Sequence, residues 1–384
     1  MAKDLEDRLN EGTLDLAAIE PPPGKEPPAP AFKRFGDVSS RALDRFERRA
    51  RGEEKPIPLP FERLARVFGG GLWPGFHVFV AGTGKGKTQF ALQLALHAAE
   101  NGTPALYVGL ELGELDWVAR LIGARSRRAW SSLFLGTFAN DPQRITHEMT
   151  GFRTAAEDLA KLPLYLIEGP PQGWAYSNLR TAAEELRAVH PKSEGPALLV
   201  LDFLQIVGKS EDREELRERI GRAAYQCRAV ARDLDFAVLA LSSTSRENYS
   251  ALETGDGLNV EGEATSRRGV VLNPDRLIGL GKESGEVEYA ADSVMVAQKL
   301  PFLSQEEWTS GLALVVSKVR AGRPGWVAFD FNGHRFEEHD WPDMEALRAT
   351  LSKPKTERKA GKAKTSAKTN GTAGDATPPA PWKA

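Results

Sequence analysis

A short stretch near residue 80 constrains the fold of this chain more than any other. The apolar run Val78–Val80 predicts a buried strand, and it leads into the glycine-rich stretch GTGKGKT at 82–88. A helical pattern of apolar residues follows from Phe90. Small residues let backbone N–H groups close around phosphate oxygens, and the helix N-terminus adds a partial positive charge. The order of strand, glycine-rich turn and helix therefore predicts a phosphate-binding loop of a nucleoside triphosphate site.

The residue types in this loop have distinct predicted roles. The Lys87 ammonium reaches the β- and γ-phosphates, and the Thr88 hydroxyl ligates a magnesium ion. The usual pattern has glycine five residues before the Gly-Lys pair, where this chain has Ala81, a residue nearly as small. We therefore predict ATP and Mg²⁺ as the ligands. The predicted nucleotide-binding residues are Ala81, Gly82, Thr83, Gly84, Lys85, Gly86, Lys87 and Thr88.

Further apolar runs alternate with helical patterns along the chain. Continuous runs predict strands at 105–110, 162–167, 197–201 and 236–241. Such runs, without polar alternation, are typical of parallel strands buried on both faces. Later runs predict closing strands at 293–297, 312–317 and 327–331. The sequence therefore predicts an α/β protein with a mainly parallel sheet flanked by helices.

Two of the predicted strands end in an acidic residue. Asp202 follows the run ALLVL, and Glu111 follows ALYVGL. Ligands of open parallel sheets bind outside the carboxyl ends of the strands. We predict that Asp202 holds the magnesium ion, directly or through water, and that Glu111 activates the attacking water. The alternative for each is an ordinary strand-end acid that caps the following helix.

Composition narrows the class of protein. With 41% hydrophobic and 27% charged residues, the chain has the composition of a soluble globular protein. It contains no run of eighteen apolar residues, which predicts no membrane span, and its acidic N-terminus lacks the apolar core of a secretory signal. The single cysteine, Cys227, excludes an internal disulfide and favours a cytoplasmic location. Its helical context predicts a packed side chain rather than a nucleophile.

The sequence divides into four predicted regions. They are a disordered proline-rich arm at 1–36, a linker helix at 37–55, a motor domain at 56–340 and a disordered tail at 353–384. The tail has eight basic and two acidic residues, whereas the whole chain has a net charge of −2. The rest of the chain is therefore acidic, which excludes a broadly basic surface and restricts nucleic-acid contacts to local sites.

Six segments occur in a distinctive order. They are GKGKT (84–88), YVGLELGE (107–114), LVLDFLQIV (199–207), LALSS (239–243), KESGEVEYAADSVMV (282–296) and SKVRAGRPGWVAFDFNGHRFEE (317–338). Together they resemble the C-terminal motor domain of the DnaB-type replicative helicases, over roughly residues 56–338. The resemblance implies a RecA-like P-loop NTPase core in a ring, usually a homohexamer, with ATP between subunits. It also implies translocation on single-stranded DNA in replication.

The resemblance assigns further roles by position. Arg320 is implied to be an arginine finger acting on the neighbouring subunit's ATP, with Lys318 beside it, and Gln205 and Ser243 take the polar sensor positions. The family has glutamine where this chain has Ser243, which puts the coupling of hydrolysis to movement in question. Candidate DNA-binding residues lie in two loops, one after the strand that ends at Asp202 and one after the strand that ends at Ser243. The alternative interpretation is that these charged residues only form a solvated surface. They are Lys209, Arg213, Arg246, Arg267 and Arg268.

Other interpretations stay open on the sequence alone. Residues 1–55 leave no room for the family's N-terminal domain, which receives primase. A loader or other replication protein is a further candidate partner besides single-stranded DNA and self. One alternative is a RecA- or KaiC-like ATPase used in recombination or signalling. A second is an ATP-switched assembly or loader ring with little unwinding activity, and Ser243 favours this one. The complete order of the motifs favours the helicase.

Overall fold

The computed structural model describes residues 34–138, 140–170, 174–208, 216–243, 284–299 and 310–339. Nine strands in these ranges form one sheet. They are β1 (Gly75–Ala81), β2 (Ala105–Gly109), β3 (Leu164–Glu168), β4 (Ala197–Asp202), β5 (Phe236–Ser243), β6 (Ser293–Lys299), β7 (Ser310–Val319), β8 (Gly325–Phe331) and β9 (Phe336–Glu338). Their order across the sheet is β3-β2-β4-β5-β1-β6-β7-β8-β9.

Nine α-helices connect or flank the described strands. They are α1 (Phe35–Ala50), α2 (Glu62–Val67), α3 (Lys87–Glu100), α4 (Glu114–Ser126), α5 (Ser131–Leu135), α6 (Pro142–Leu159), α7 (Tyr176–Val189), α8 (Leu216–Leu234) and α9 (Ser284–Ala290). Short 3₁₀ turns lie at Lys192–Glu194 and Leu204–Ile206.

The sheet is parallel on one side and antiparallel on the other. Strands β3, β2, β4, β5, β1 and β6 run parallel, and β7, β8 and β9 form an antiparallel meander. The predicted α/β fold with a mainly parallel sheet is thus confirmed. The sequence analysis did not predict β9 or α9, because a three-residue strand and a seven-residue helix are too short for a periodic pattern to stand out.

Alternate side chains of the central strands pack on opposite faces. Phe79, Tyr107 and Leu239 share a core cluster with Phe90 of α3. On the other face, α8 packs on β1 and β5, and its Cys227 is fully buried. Burial raises the pKa of this thiol, which confirms the prediction of a packed rather than a reactive cysteine. Both faces of the parallel strands are therefore covered, as the continuous apolar runs predicted.

Helix α1 is attached to the sheet domain by two of its arginines. Arg45 forms ion pairs with Glu54 and with Asp235, and the Arg49 guanidinium lies 4.3 Å from the centre of the Trp73 ring. The same helix also carries large apolar side chains that remain exposed. Its large exposed side chains are Phe35, Val38, Leu43 and Phe46. The described residues of this chain therefore leave these apolar side chains of α1 uncovered.

Long apolar helices are absent from the described part of the chain. None of the helices described there is both long enough and apolar enough to cross a membrane.

Candidate active site

The loop after β1 has the backbone geometry that a phosphate site requires. Gly84 and Gly86 have φ of +73° and +77°, in the left-handed region that glycine occupies without steric cost. Helix α3 then begins at Lys87, and no side chain of the described residues caps its N-terminus. The N–H groups of its first turn therefore lack intrahelical partners and can bind an anion.

A pair of aromatic rings packs against this loop at Gly86. Phe331 and Phe336, at the facing ends of β8 and β9, stack with ring centres 4.4 Å apart. A Cβ atom at Gly86 would lie 2.7 Å from Phe331 and 2.8 Å from Phe336, so the loop touches both rings. The amide of Gln93 donates to the Phe336 carbonyl at 2.9 Å and accepts from its N–H at 3.0 Å. The β8–β9 hairpin is thereby fastened to α3.

Lys87 and Thr88 point toward the carboxyl edge of the sheet. The Lys87 ammonium donates to the carbonyls of Ala81 and Gly82, each at 3.1 Å. Burial lowers the pKa of Lys87, and the nearby charges of Glu111 and Asp202 oppose this shift. The Thr88 hydroxyl donates to Asp202 Oδ2 at 2.7 Å, although the two residues are 114 positions apart. The structure thus brings together the phosphate loop and Asp202, which the sequence analysis predicted to bind the same magnesium ion.

Asp202 is almost completely buried, with 1% of its surface exposed. Burial raises the pKa of this carboxyl, against hydrogen bonds from Tyr107 and Thr88 that lower it. The Tyr107 hydroxyl also donates to Oδ2, at 2.5 Å. The other oxygen, Oδ1, is buried and has no hydrogen-bond partner within the described ranges. An unpaired buried carboxylate oxygen is costly, and a bound cation would satisfy it.

Glu111 lies just beyond β2, where the register pairs Gly109 with Asp202. Glu111 as a whole is exposed, but its carboxyl group is partly buried, and this burial raises its pKa. Repulsion from the Asp202 carboxylate raises the pKa further, and attraction to the Lys87 ammonium lowers it. The structure therefore places Glu111 within electrostatic reach of both the loop ammonium and the buried acid. A carboxylate with a raised pKa suits a proton acceptor.

Two functional candidates were missed by the sequence analysis. Tyr107 lies in an otherwise aliphatic strand, and that lone hydroxyl in a buried run was the available sign of a polar partner. Arg120 on α4 lies near Tyr107 and Asp202, and its guanidinium stacks 4.0 Å from the centre of the Trp130 ring. Burial lowers the pKa of Arg120, and the nearby carboxylates of Asp116 and Asp202 oppose this shift. No periodic pattern distinguishes Arg120 from other helix arginines.

The two predicted sensor residues lie at the ends of neighbouring strands, Gln205 in the 3₁₀ turn after β4 and Ser243 as the last residue of β5. Ser243 ends β5 directly opposite Ala81, the residue that begins the phosphate loop. Gln205 is buried, and its amide donates to the hydroxyl of Ser242 at 2.8 Å rather than to Ser243. Its Oε1 atom is buried without a partner in the part of the chain that the structure covers. Gln205 is therefore joined to the strand that carries Ser243.

Lys318 and Arg320 lie at the other end of the sheet. The register pairs Val319 with Ser293 and Ser293 with His77, near the start of β1. Strand β1 spans about 20 Å, at roughly 3.3 Å per residue, so Arg320 is remote from the phosphate loop of its own chain. Arg320 is half exposed, with 48% of its side chain accessible.

Asp292 holds Arg320 at this end of the sheet. The Asp292 carboxylate pairs with the Arg320 guanidinium at 3.1 Å, and its carbonyl accepts from the Arg320 N–H at 2.9 Å. The second carboxylate oxygen accepts from the Phe76 N–H at 2.8 Å, which joins the group to β1. Nearby, the Lys318 ammonium donates to the Glu288 carbonyl. The ion pair therefore fixes the guanidinium against the start of β1.

The candidate DNA-binding residues lie outside the described ranges. These are Lys209, Arg213, Arg246, Arg267 and Arg268. Within the described ranges, Arg219 donates to the Gln205 carbonyl at 3.3 Å and so contacts the segment that follows Asp202.

The loop, the buried acid and the parallel sheet define a P-loop NTPase core of the RecA-like class. Residues 57–253, just over half of the chain, match the family described as DnaB-like helicase C terminal domain, and the chain belongs to that family. Membership in a family of nucleotide-driven motors implies that the chain binds nucleotide.

Named relatives agree with this family. The chain is 24% identical over 309 residues to the replicative DNA helicase DnaC of Bacillus subtilis and 25% identical over 308 residues to the replicative DNA helicase DnaB of Geobacillus stearothermophilus. Each alignment covers 78% of this chain and 60% of the relative. The chain thus spans less than two thirds of the length of these relatives.

Solved structures share the fold. One solved ATPase domain is similar with a TM-score of 0.64 at 18% identity, covering 80% of this chain and 100% of that chain. A DnaB-like replicative helicase, whose structure describes its interactions with primase, is similar with a TM-score of 0.61 at 17% identity. That comparison covers 87% of this chain and 75% of the other. At these identities the likeness establishes the RecA-like fold alone.

Substitutions of the two loop glycines will separate conformational from packing effects. Gly84→Ala should cost about 1 kcal/mol of stability, because alanine is strained at positive φ but meets no neighbour there. Gly86→Ala carries the same strain and also collides with Phe331 and Phe336, which should add about 1–3 kcal/mol. Denaturant unfolding of both variants measures the difference. Equal losses in the two variants would contradict the close contact between the loop and the hairpin.

Proposed function

We propose that this protein is an ATP-dependent, ring-forming DNA helicase and translocase of the DnaB type, which acts on single-stranded DNA in replication. The observation that carries the proposal is the hydrogen bond from Thr88 to the buried Asp202, with Lys87 beside it. These groups stand where ATP phosphates and a metal ion would be bound in a P-loop enzyme. Membership in the DnaB-like helicase family supports the choice of reaction.

The residues around Asp202 fit a magnesium ion. Mg²⁺ prefers oxygen ligands, and the site offers the Thr88 hydroxyl oxygen and the unpaired Asp202 Oδ1. The Thr88 hydroxyl can donate its proton to Asp202 while a lone pair remains for a metal. When bound, the ion neutralises charge on the phosphate oxygens. Thr88 and Asp202 then hold it, and Lys87 binds the phosphates.

Glu111 is the proposed general base. Its raised pKa and its position beyond β2 support a role in accepting a proton from the attacking water. In this proposal Gln205 senses the nucleotide from the turn after β4 and Ser243 from the end of β5, and the Gln205–Ser242 hydrogen bond couples the two segments. Serine is shorter than glutamine, so we expect Ser243 to link hydrolysis to movement less tightly.

Arg320 is proposed as an arginine finger for the ATP of the next subunit, with Lys318 as its basic neighbour. Its position about 17 Å along the sheet from Ala81 argues against action on its own loop. The Asp292 ion pair presents the half-exposed guanidinium at the domain surface. A cation there would stabilise the charge that develops on the transferred phosphoryl group.

The remaining assignments complete the proposal. The motor domain is 56–340, preceded by a proline-rich arm at 1–36 and a linker helix at 37–55, and followed by a basic tail at 353–384. The uncovered apolar side chains of α1 support contact with a second copy in a homohexamer. A loader or other replication protein is a further proposed partner, and the proposed location is the cytoplasm. Single-stranded DNA would contact five basic residues in the ring channel: Lys209, Arg213, Arg246, Arg267 and Arg268.

The purified chain should hydrolyse ATP faster when single-stranded DNA is added, and it should displace the strand of a forked duplex. Lys87→Ala should lose both activities, because it removes a phosphate-binding charge without opening a cavity. A coupled ATPase assay and a fluorescent strand-displacement assay measure them. Stimulated hydrolysis without displacement would favour the assembly or loader ring instead. Hydrolysis indifferent to DNA would favour a KaiC-like ATPase.

Glu111→Gln should bind ATP as the wild type does and lose about 10²–10⁴-fold in turnover, because the amide cannot accept the proton. Glu114→Gln, three residues later on the exposed start of α4, is the matched control and should keep its turnover. Nucleotide titration and steady-state hydrolysis separate the two effects. Loss of ATP binding in Glu111→Gln would identify Glu111 as a structural residue.

Mixing two inactive variants tests the shared site. Arg320→Ala should bind ATP but hydrolyse it about 10³–10⁵-fold more slowly. When it is mixed with Lys87→Ala, some interfaces combine an intact phosphate loop with an intact Arg320 from the neighbour, so partial ATPase activity should return. Arg323→Ala, an exposed arginine in the same turn, serves as the control and should remain active. No recovery at any ratio, with subunit mixing demonstrated, would refute a finger acting in trans.

A further inference from the structure

Asp202 receives two hydroxyl hydrogen bonds on one carboxylate oxygen. The Tyr107 phenol donates to Oδ2 at 2.5 Å, and Thr88 donates to the same atom at 2.7 Å. Oδ1 accepts no hydrogen bond from any residue that the structure describes, although it is buried. The two donors therefore saturate one oxygen, hold the carboxyl group in one orientation and leave its other oxygen available to a ligand.

Tyr107 is itself held rigidly. It is fully buried in β2, whose backbone pairs with β3 and β4 on either side. Its ring packs on Trp117 of α4 with ring centres 5.6 Å apart. Trp117 occupies space above Gly109, where a Cβ would lie only 1.8 Å from the indole, so glycine is required there. The phenol oxygen is thus fixed by the sheet and by α4, independently of the phosphate loop.

We propose that Tyr107 is a positioning residue for the divalent cation that accompanies ATP, acting through Asp202. This inference rests on the proposed function, in which Asp202 binds that cation. Thr88 belongs to the phosphate loop and its helix, and its oxygen is itself a proposed metal ligand. Tyr107 supplies the second donor from the sheet, which keeps Oδ1 available as a ligand whether or not nucleotide is bound. Hydrogen bonds to ligating carboxylates orient them in this way.

A purely structural role predicts a different result. If the Tyr107 hydroxyl only satisfies a buried carboxylate, its removal should lower the stability of the protein and leave the affinity for metal unchanged. If it orients Asp202, its removal should weaken metal binding to the nucleotide complex. The affinity for nucleotide without metal should then be unaffected, because the phosphates contact the loop and Lys87.

The test compares Tyr107→Phe with Tyr165→Phe. Tyr165 lies on the adjacent strand β3, and its hydroxyl hydrogen-bonds to His190 Nε2 at 2.8 Å, away from Asp202. Mn²⁺ binding to each protein with saturating ADP is followed by the electron paramagnetic resonance of free Mn²⁺. We expect about tenfold weaker Mn²⁺ binding in Tyr107→Phe, as for other residues that orient a metal ligand, and no change in Tyr165→Phe. ADP binding in EDTA should be equal in all three proteins.

The outcomes separate this inference from the proposed function. Wild-type affinity for Mn²⁺ in a folded Tyr107→Phe variant would overturn the positioning role and leave the proposed function standing. Absence of nucleotide-dependent Mn²⁺ binding in the wild type would instead refute the metal site itself. Thermal unfolding without metal checks that each variant is folded. Tyr107→Met, which also lacks the hydroxyl, is measured as a second variant of the same kind. In an Asp202→Asn background, Tyr107→Phe should change Mn²⁺ binding no further, and a full additional loss there would also overturn the inference.

Discussion

The hydrogen bond between Thr88 and Asp202 joins the first turn of α3 to the end of β4, across the intervening strand β5. A buried carboxylate is costly unless hydrogen bonds or a cation compensate it. Asp202 therefore needs Thr88, Tyr107 and Lys87 close by, and these come from two different elements of the core, α3 and β2. The sheet order and the packing of α3 and α4 all serve to keep these groups together.

The antiparallel half of the sheet makes two separate sets of contacts. At the carboxyl edge, the β8–β9 hairpin supports the phosphate loop, where Phe331 and Phe336 touch Gly86 and Gln93 binds the Phe336 backbone. At the opposite edge, Asp292 fixes the Arg320 that follows β7 against β1. One meander thus supports the phosphate site of its own chain and presents a cation far from it. That arrangement suits an ATP site completed by a neighbouring copy.

Helix α1 also presents exposed apolar residues. The α1 side chains Phe35 and Phe46 are exposed, although the same helix contacts the sheet domain through Arg45 and Arg49. These exposed rings are therefore available to contact another surface. Together with the remote Arg320, this feature is what we expect of a subunit that is completed by its neighbours in a ring.

The sequence by itself determined the phosphate loop, the acid at the end of β4 and the alternating strands and helices. Each of these depends on a local pattern: glycines where the backbone turns at positive φ, an acid at a strand end, or a run of apolar residues. Tertiary structure alone decided the partners of Asp202, the aromatic support of Gly86 and the remote position of Arg320. Those contacts join residues far apart in the chain, 95 positions for Tyr107 with Asp202 and 243 for Gln93 with Phe336. They depend on strand order and register, which no local pattern encodes.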